Sequence, residues 1–210
     1  MTSRRAYLAA VGGATASLTG CLGLGGDGSS YSCSGSDPDT VEELPQPTMG
    51  NPDADVVVKA WEDFSCPHCR TFSLQVLPKL KSEYADPGTI LFEHHDWPIP
   101  VREWAWEAAS AARSVQDAAD DAAFFDFAHQ LFENQDSYST DLLGSAAEAV
   151  DLEPCTVIQD GTSGTYRPVV EADKQRGTEA GVQGTPWVLV NGEYVSPTYE
   201  KISAKIESAL

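Results

Sequence analysis

An α/β chain, in which one long helical block interrupts a small sheet, is what this 210-residue sequence predicts. Three observations carry that reading. Short β-branched or apolar runs lie at 55–61, 89–93 and 185–190. An alanine-rich, helically patterned stretch fills 101–180, between the second run and the third. Asn191-Gly192 follows the third run, and that dipeptide is the strongest two-residue hairpin signal.

The elements follow in order. Asp55 to Trp61 reads as a buried strand that leads directly into Glu62-Asp-Phe-Ser-Cys-Pro-His-Cys69. From Arg70 to Tyr84, the residues Phe72, Val76, Leu77, Leu80 and Tyr84 recur at helical spacing. Pro78 inside that pattern predicts a kink or short break. Asp86-Pro-Gly is a turn, and Thr89 to Glu93 is a second strand. Trp104-Ala-Trp106 and Phe124-Phe-Asp-Phe-Ala-His-Gln-Leu-Phe132 mark the helical block. Thr185 to Val190 is a third strand, and Glu193 to Val195 pairs back across the hairpin. Ser196-Pro-Thr-Tyr opens a final helix with Ile202, Ile206 and Leu210 at spacing four. No internal repeat is visible, and the folded domain is expected over 41–210.

Charge excludes several functions. Asp plus Glu number 32 against 13 Lys plus Arg, for a net charge of −19, and the acids are spread along the whole chain. Such a scatter reads as a solvated surface. Nucleic acid is not an expected partner, because phosphates would be repelled. Scattered acids with few lysines resemble proteins of salt-loving archaea, where salt screens the self-repulsion.

The N-terminus reads as a targeting segment. Arg4-Arg5 precedes an uncharged, mildly apolar stretch from Ala6 to Leu18, too short and too poor in strong hydrophobes to be a confident membrane span. Ser3-Arg4-Arg5-Ala6-Tyr7-Leu8 resembles a twin-arginine export signal, and Leu18-Thr19-Gly20-Cys21 resembles a lipobox. By that resemblance residues 1–20 are a signal peptide, and the sulfur of Cys21 carries lipid on the outer face of the membrane. Losing Arg4 and Arg5 takes the net charge from −19 to −21. The Gly-, Ser- and Asp-rich stretch 21–40 is expected to be a flexible tether.

The chemistry centres on Cys66-Pro67-His68-Cys69, which follows a strand and opens a helix. The first backbone N–H groups of a helix are unpaired and, with the helix dipole, stabilise a negative sulfur. Cys66 occupies that position, so its pKa is expected to fall. Pro67 suits the first helical position, and His68 offers a donor or a positive charge. A pair whose reduced form is stabilised in this way is an oxidant. Cys69, one turn inward, is the expected resolving thiol. A substrate thiolate attacks the disulfide at Cys66, and a second substrate thiol resolves the mixed disulfide. Zinc is the sharper rival, but no second Cys-x-x-Cys exists, and His94-His95 or Cys33 with Cys155 lack ligand spacing. Neither a metal nor a cofactor is expected.

Cys66-Pro-His-Cys69 followed by Gly184-Thr185-Pro186 directly before a strand resembles the DsbA branch of the thioredoxin-like proteins. The 120 residues from Cys66 to Pro186 leave room for that branch's helical insertion, between the second strand and the strand after Pro186. Asp63-Phe-Ser and His95-Asp-Trp-Pro-Ile99 also resemble it. The resemblance implies a thioredoxin-like fold and a cis peptide before Pro186, facing the disulfide. It implies that Thr185 offers backbone groups to an extended substrate. It further implies a membrane quinone-linked partner that reoxidises the pair. Relatives often bury a Glu six residues before the first cysteine, where this chain has Ala60. Glu62, on the same strand face, and Asp63 are the candidates to move protons in its place.

Other readings stay open. Cys33 and Cys155 either form a structural disulfide or leave a free Cys33 and a buried Cys155. His94, His95 and His129 are most simply surface or half-buried residues. Of Trp104 and Trp106, one is expected in the core and the other in a groove by the active site, with Trp187 in the core. Oxidation of cysteine pairs in exported, unfolded proteins is the leading function, by a monomer. The alternatives are a reductase for exported thiols and a non-redox, lipid-anchored peptide binder.

Overall fold

Five strands form one mixed sheet in the order β1-β3-β2-β4-β5. Strand β2 (Val56–Glu62) lies at its centre, parallel to β3 (Ile90–Asp96) and antiparallel to β4 (Trp187–Val190). The outer strands β1 (Thr48–Gly50) and β5 (Glu193–Val195) run antiparallel to β3 and β4. The structure, a computed structural model, describes residues 30–36, 38–99 and 103–210. The expected signal segment 1–20, Cys21, the stretch 22–29 and the expected start of the helical block at 101–102 lie outside the described residues.

Alternation along β2 sets the two faces of the sheet. Val56, Val58 and Ala60 point into a core with Ile90, Phe92, Val188 and Val190, covered by Phe72, Leu80, Ile202 and Ile206. Trp61 faces the opposite side, with Trp97, Val182 and Leu189. The parallel β2–β3 pair needs a crossover, and the helix that starts after Cys66 supplies it. This helix begins as α1 (Pro67–Thr71), runs through a π turn (Phe72–Val76) into α2 (Leu77–Leu80), and ends in a second π turn (Lys81–Ala85). No break occurs at Pro78. The N–H of Leu77 bonds to Phe72 O, five residues back, so the widened turn absorbs a proline that has no donor and would crowd the preceding carbonyls. Strand β1 is an addition to the expected elements. Gly50 closes it at φ 98°, where a Cβ would come within 2.1 Å of the Ile90 carbonyl oxygen.

Helices α3 (Ala105–Ala118), α4 (Asp121–Glu133), α5 (Thr140–Glu148), α6 (Pro154–Ser163) and α7 (Arg167–Glu179) form the block between β3 and β4. Side chains of Asp120, Ser139 and Glu153 cap α4, α5 and α6 by accepting backbone N–H bonds. Their core contains Phe124, Phe127, Leu131, Leu143 and Val157, and it also takes in Phe64, Cys66 and Cys69. The cysteine pair therefore sits at the seam between sheet and helical block. The final helix α8 (Tyr199–Glu207) buries Ile202 and Ile206, but Leu210 lies past its end and is 68% exposed.

A buried ionic cluster crosses the same seam. Arg113 is 0% exposed. It donates to Asp96 Oδ2 at 2.7 Å, to Asp173 Oδ2 and to Gln116 Oε1. Asp173 also holds His95 Nδ1 and Arg176. These bonds tie β3 to α3 and α7, and each buried charge has a partner.

Several expectations change here. His94 and His95 are buried rather than near the surface, because carboxylates both near and distant in sequence pair with them: Asp96 and Glu62 with His94, Glu93 and Asp173 with His95. Neither Trp104 nor Trp106 is a core residue. Trp104 stacks on Tyr138, and Trp106 lies under Arg167 and Lys174. Trp187 is half-buried against Tyr194. The expected tether narrows as well, since residues 30–36 lie on the helical block. Cys33 and Cys155 form a disulfide. The Tyr31 ring covers Gly144, where a Cβ would approach it to 2.3 Å, and Ser30 N–H donates to Asp141.

Candidate active site

Cys66 is the N-cap of α1, with extended backbone angles (φ −88°, ψ 122°), and Pro67 is the first helical residue. The chain reaches this point straight from β2, through a turn closed by a bond from Cys66 N–H to Asp63 O. Cys66 and Cys69 are free thiols, 6% and 0% exposed.

Their environments pull the two sulfurs apart. The Cys66 thiol is lowered to about 5. Its bond with the Cys69 thiol is the largest cause; Thr185 and the backbone N–H groups of Cys69 and His68 add to it, against burial. Cys69 moves the other way. Burial pushes its thiol well above the ordinary value, and the neighbouring Cys66 and Glu62 push it further. Asp63 N–H donates to the Cys69 sulfur at 3.4 Å. One sulfur is thus an anion at neutral pH and the other a protonated thiol.

The bond before Pro186 is cis. Across the chain from α1, the Thr185 carbonyl oxygen stands 3.5 Å from the Cys66 sulfur. His68 takes part through its backbone, and its side chain is exposed. Glu62 and Asp63 are both buried. Glu62 accepts from the Ser73 hydroxyl at 2.5 Å and lies 3.6 Å from His94 Nδ1. Asp63 accepts from Ser65 and from Ile99 N–H, yet burial raises its pKa overall.

Two residues were not picked out in the sequence. Gln135 donates to the carbonyls of Phe64 and Cys66 at 2.7 and 2.9 Å. The Tyr138 hydroxyl donates to Phe64 O at 2.9 Å. They hold the turn before Cys66 from the α4–α5 connection. Nothing in their local sequence signals this, because their partners lie about seventy residues away. Among the described residues no group of three or more His, Cys, Asp and Glu side chains is arranged to hold a metal ion.

Comparison with known proteins agrees with this geometry. A family model described as Thioredoxin matches residues 42–208. A probable disulfide bond formation protein D of Bacillus cereus is 30% identical over 174 residues, covering 79% of each chain. The disulfide bond formation protein D of Bacillus subtilis is 27% identical over 173 residues, covering 79% of this chain and 77% of its own. Among solved structures, oxidised BdbD from Bacillus subtilis superposes with a TM-score of 0.72 at 27% identity, over 82% of this chain and 98% of that one. DsbA from Chlamydia trachomatis shares the fold at a TM-score of 0.69 and 21% identity, over 81% and 96% of the two chains.

Proposed function

We propose that this chain, which belongs to the thioredoxin family and to its DsbA-like thiol-disulfide oxidoreductases, oxidises cysteine pairs in exported proteins through Cys66 and Cys69. The carrying observation is the split between the sulfurs: a thiolate at Cys66 near 5 beside a buried Cys69 whose thiol is raised. Holding Cys66 as an anion stabilises the reduced protein. The oxidised protein then gains free energy by taking electrons from substrate thiols.

The cycle uses this asymmetry. A substrate thiolate attacks the Cys66 sulfur, the Cys66–Cys69 bond breaks, and Cys69 leaves. A second substrate thiolate attacks the substrate's sulfur in the mixed disulfide and expels Cys66 as its stable thiolate. The substrate departs oxidised by two electrons, and the pair is reduced by two. Thr185, opposite Cys66 and before cis-Pro186, receives the extended substrate through its backbone, so recognition is largely blind to side chains.

Equilibration of the pair with glutathione tests this reading. The expected potential lies well above the roughly −270 mV of thioredoxin, by about 30 mV for each 1.4 kcal/mol favouring the reduced form. A value at or below thioredoxin's makes the protein a reductase. A second assay follows disulfide formation in a reduced, unfolded secreted protein, with Cys69→Ala trapping mixed disulfides through Cys66. A peptide binder without redox turnover would trap none.

The setting is proposed from the sequence. Residues 1–20 direct twin-arginine export of a haloarchaeal protein, and Cys21 carries the lipid anchor. The Cys33–Cys155 disulfide and the Ser30 N–H bond to Asp141 moor the segment that follows Cys21 to the helical block. The electrons pass on to a membrane quinone-linked partner. Mass spectrometry of the mature protein should find a thioether-linked lipid on Cys21, and replacing Arg4 and Arg5 with Lys should leave the precursor inside the cell. An unmodified Cys21 would remove the anchor from this account.

A further inference from the structure

A row of ionisable side chains lies under the active-site helix, and the exchange chemistry above leaves most of it unused. Ala60 pairs with His94 and Glu62 with Asp96 across β2 and β3, so Glu62, His94 and Asp96 share one face of the sheet. All three are at most 2% exposed. Glu62 Oε1 is 3.6 Å from His94 Nδ1, and His94 Nε2 is 3.3 Å from Asp96 Oδ1. Asp96 is fixed in turn by Arg113 Nε at 2.7 Å.

At its other end the row comes near Cys69, where the Glu62 charge adds to the raised pKa of that thiol. Ser73 stands one helical turn beyond Cys69, hence on the same face, and donates to Glu62 Oε2 at 2.5 Å. The Asp63 amide, next in the chain after Glu62, donates to the Cys69 sulfur. The row also reaches solvent. Glu62, Ser73 and His94 line a cavity of about 300 Å³ whose rim holds Lys81, Asp126 and His129, all exposed.

We propose that His94 is the proton store for Cys69, and that the Glu62 carboxylate, oriented by Ser73, carries the proton between them. The proposal rests on the oxidoreductase reading. When a substrate thiolate forms its bond to Cys66, the Cys66–Cys69 bond breaks and its electron pair leaves on Cys69 as a buried thiolate. The Glu62 carboxylate takes one proton from the His94 imidazolium and passes it to that sulfur. The products are the mixed disulfide, a Cys69 thiol and a neutral imidazole, which regains its proton from water at the cavity rim. Reoxidation runs the same route backwards: Cys69 loses its proton through Glu62 to His94 before its sulfur attacks.

The surroundings suit each role. Burial by itself would lower the His94 pKa, but the Asp96 and Glu62 carboxylates outweigh it and raise it to about 9, so the store is charged at neutral pH. The Phe124 and Phe64 rings close the remaining sides of the imidazole. The charged or titratable groups facing the row are Cys69 from α1, Arg113 from α3, and Lys81, Asp126 and His129 at the rim.

The test is single-turnover reduction of the oxidised protein by excess dithiothreitol between pH 5 and 10, with rates corrected for the dithiothreitol thiolate. In the wild type the corrected rate should fall as pH rises past about 9, where His94 empties. His94→Gln and Glu62→Gln should remove that fall and slow the reaction at pH 7 roughly 10²-fold, the size of a lost general acid. The Cys66 titration, followed at 240 nm, should stay put. Ser73→Ala keeps both ionisable groups and favours the helix. It decides the matter should either Gln variant fail to fold, with slowing of about tenfold expected for one lost hydrogen bond. Wild-type rates and pH profile in the folded variants overturn the proposal, as does slowing by one constant factor at every pH. A wild-type protein that exchanges no thiols overturns the earlier reading instead.

Discussion

Two regions of this molecule place cysteines together, and they do opposite things with them. At the start of α1, Cys66 and Cys69 are three residues apart, on one turn of a helix. At the N-terminal mooring, Cys33 and Cys155 are 122 residues apart, and their bond joins the leader to α6. The first site surrounds one sulfur with N–H donors and a second thiol, and it buries the other beside an acid. The second is tied into the fold by Tyr31 and Ser30, and Cys155, although it lies in the first turn of α6, is held in a bond to Cys33. The difference teaches that reactivity lies in what stabilises the free thiolate.

The sharpest way to break the contrast is at the reactive sulfur. Cys66→Ser should abolish thiol exchange with a reduced, unfolded substrate and leave the far-UV circular dichroism unchanged. Any residual turnover would shift the chemistry to another cysteine. Next in size is the ionic cluster that holds the seam. Arg113→Met leaves Asp96 and Asp173 facing each other without their buried cation, and urea denaturation should show a loss of about 3–5 kcal/mol. A loss below about 1 kcal/mol would make the cluster ornamental.

The mooring comes third. Replacing Cys33 and Cys155 together with Ala should cost about 2–4 kcal/mol, given the long loop that the bond closes, while the exchange rate at Cys66 is retained. Loss of exchange would erase the distinction between the two sites. The last expected effect is on the linkage between pH and redox state. The folded-state pKa of Cys66 lies below its unfolded value, so its thiolate stabilises the reduced protein above the unfolded pKa near 9, and that stability is lost as pH falls through about 5. In melting curves, the stability of the reduced protein relative to the oxidised one should therefore fall as pH is lowered from 8 towards 5, and level off below that. A gap that stays constant from pH 8 to 4 would contradict a Cys66 thiolate.

Much of the reactive region was legible as sequence because its signals are local. The β-branched run before Cys66, the cysteine spacing and Asn191-Gly192 each act within a few residues, and each appears where expected. Glu62 was readable too, since a period of two puts it on the face of Ala60. Strand β1 was not, because three residues show no periodicity. His94 and His95 look like surface residues until Glu62 from β2 and Asp173 from α7 pair with them. Gln135 and Tyr138 sit in an ordinary polar connection, and their role exists only once α4 packs beside the turn at Phe64.

Local sequence therefore marked the candidate pair: Cys66 opens a helix with a second cysteine one turn on, and both signals lie within four residues of chain. The depth of Cys69, the facing of cis-Pro186 and the row from Glu62 to Asp96 arose from packing. Burial and charge pairing depend on groups brought together from 30 to 120 residues apart, and no local pattern in the chain records which of them meet.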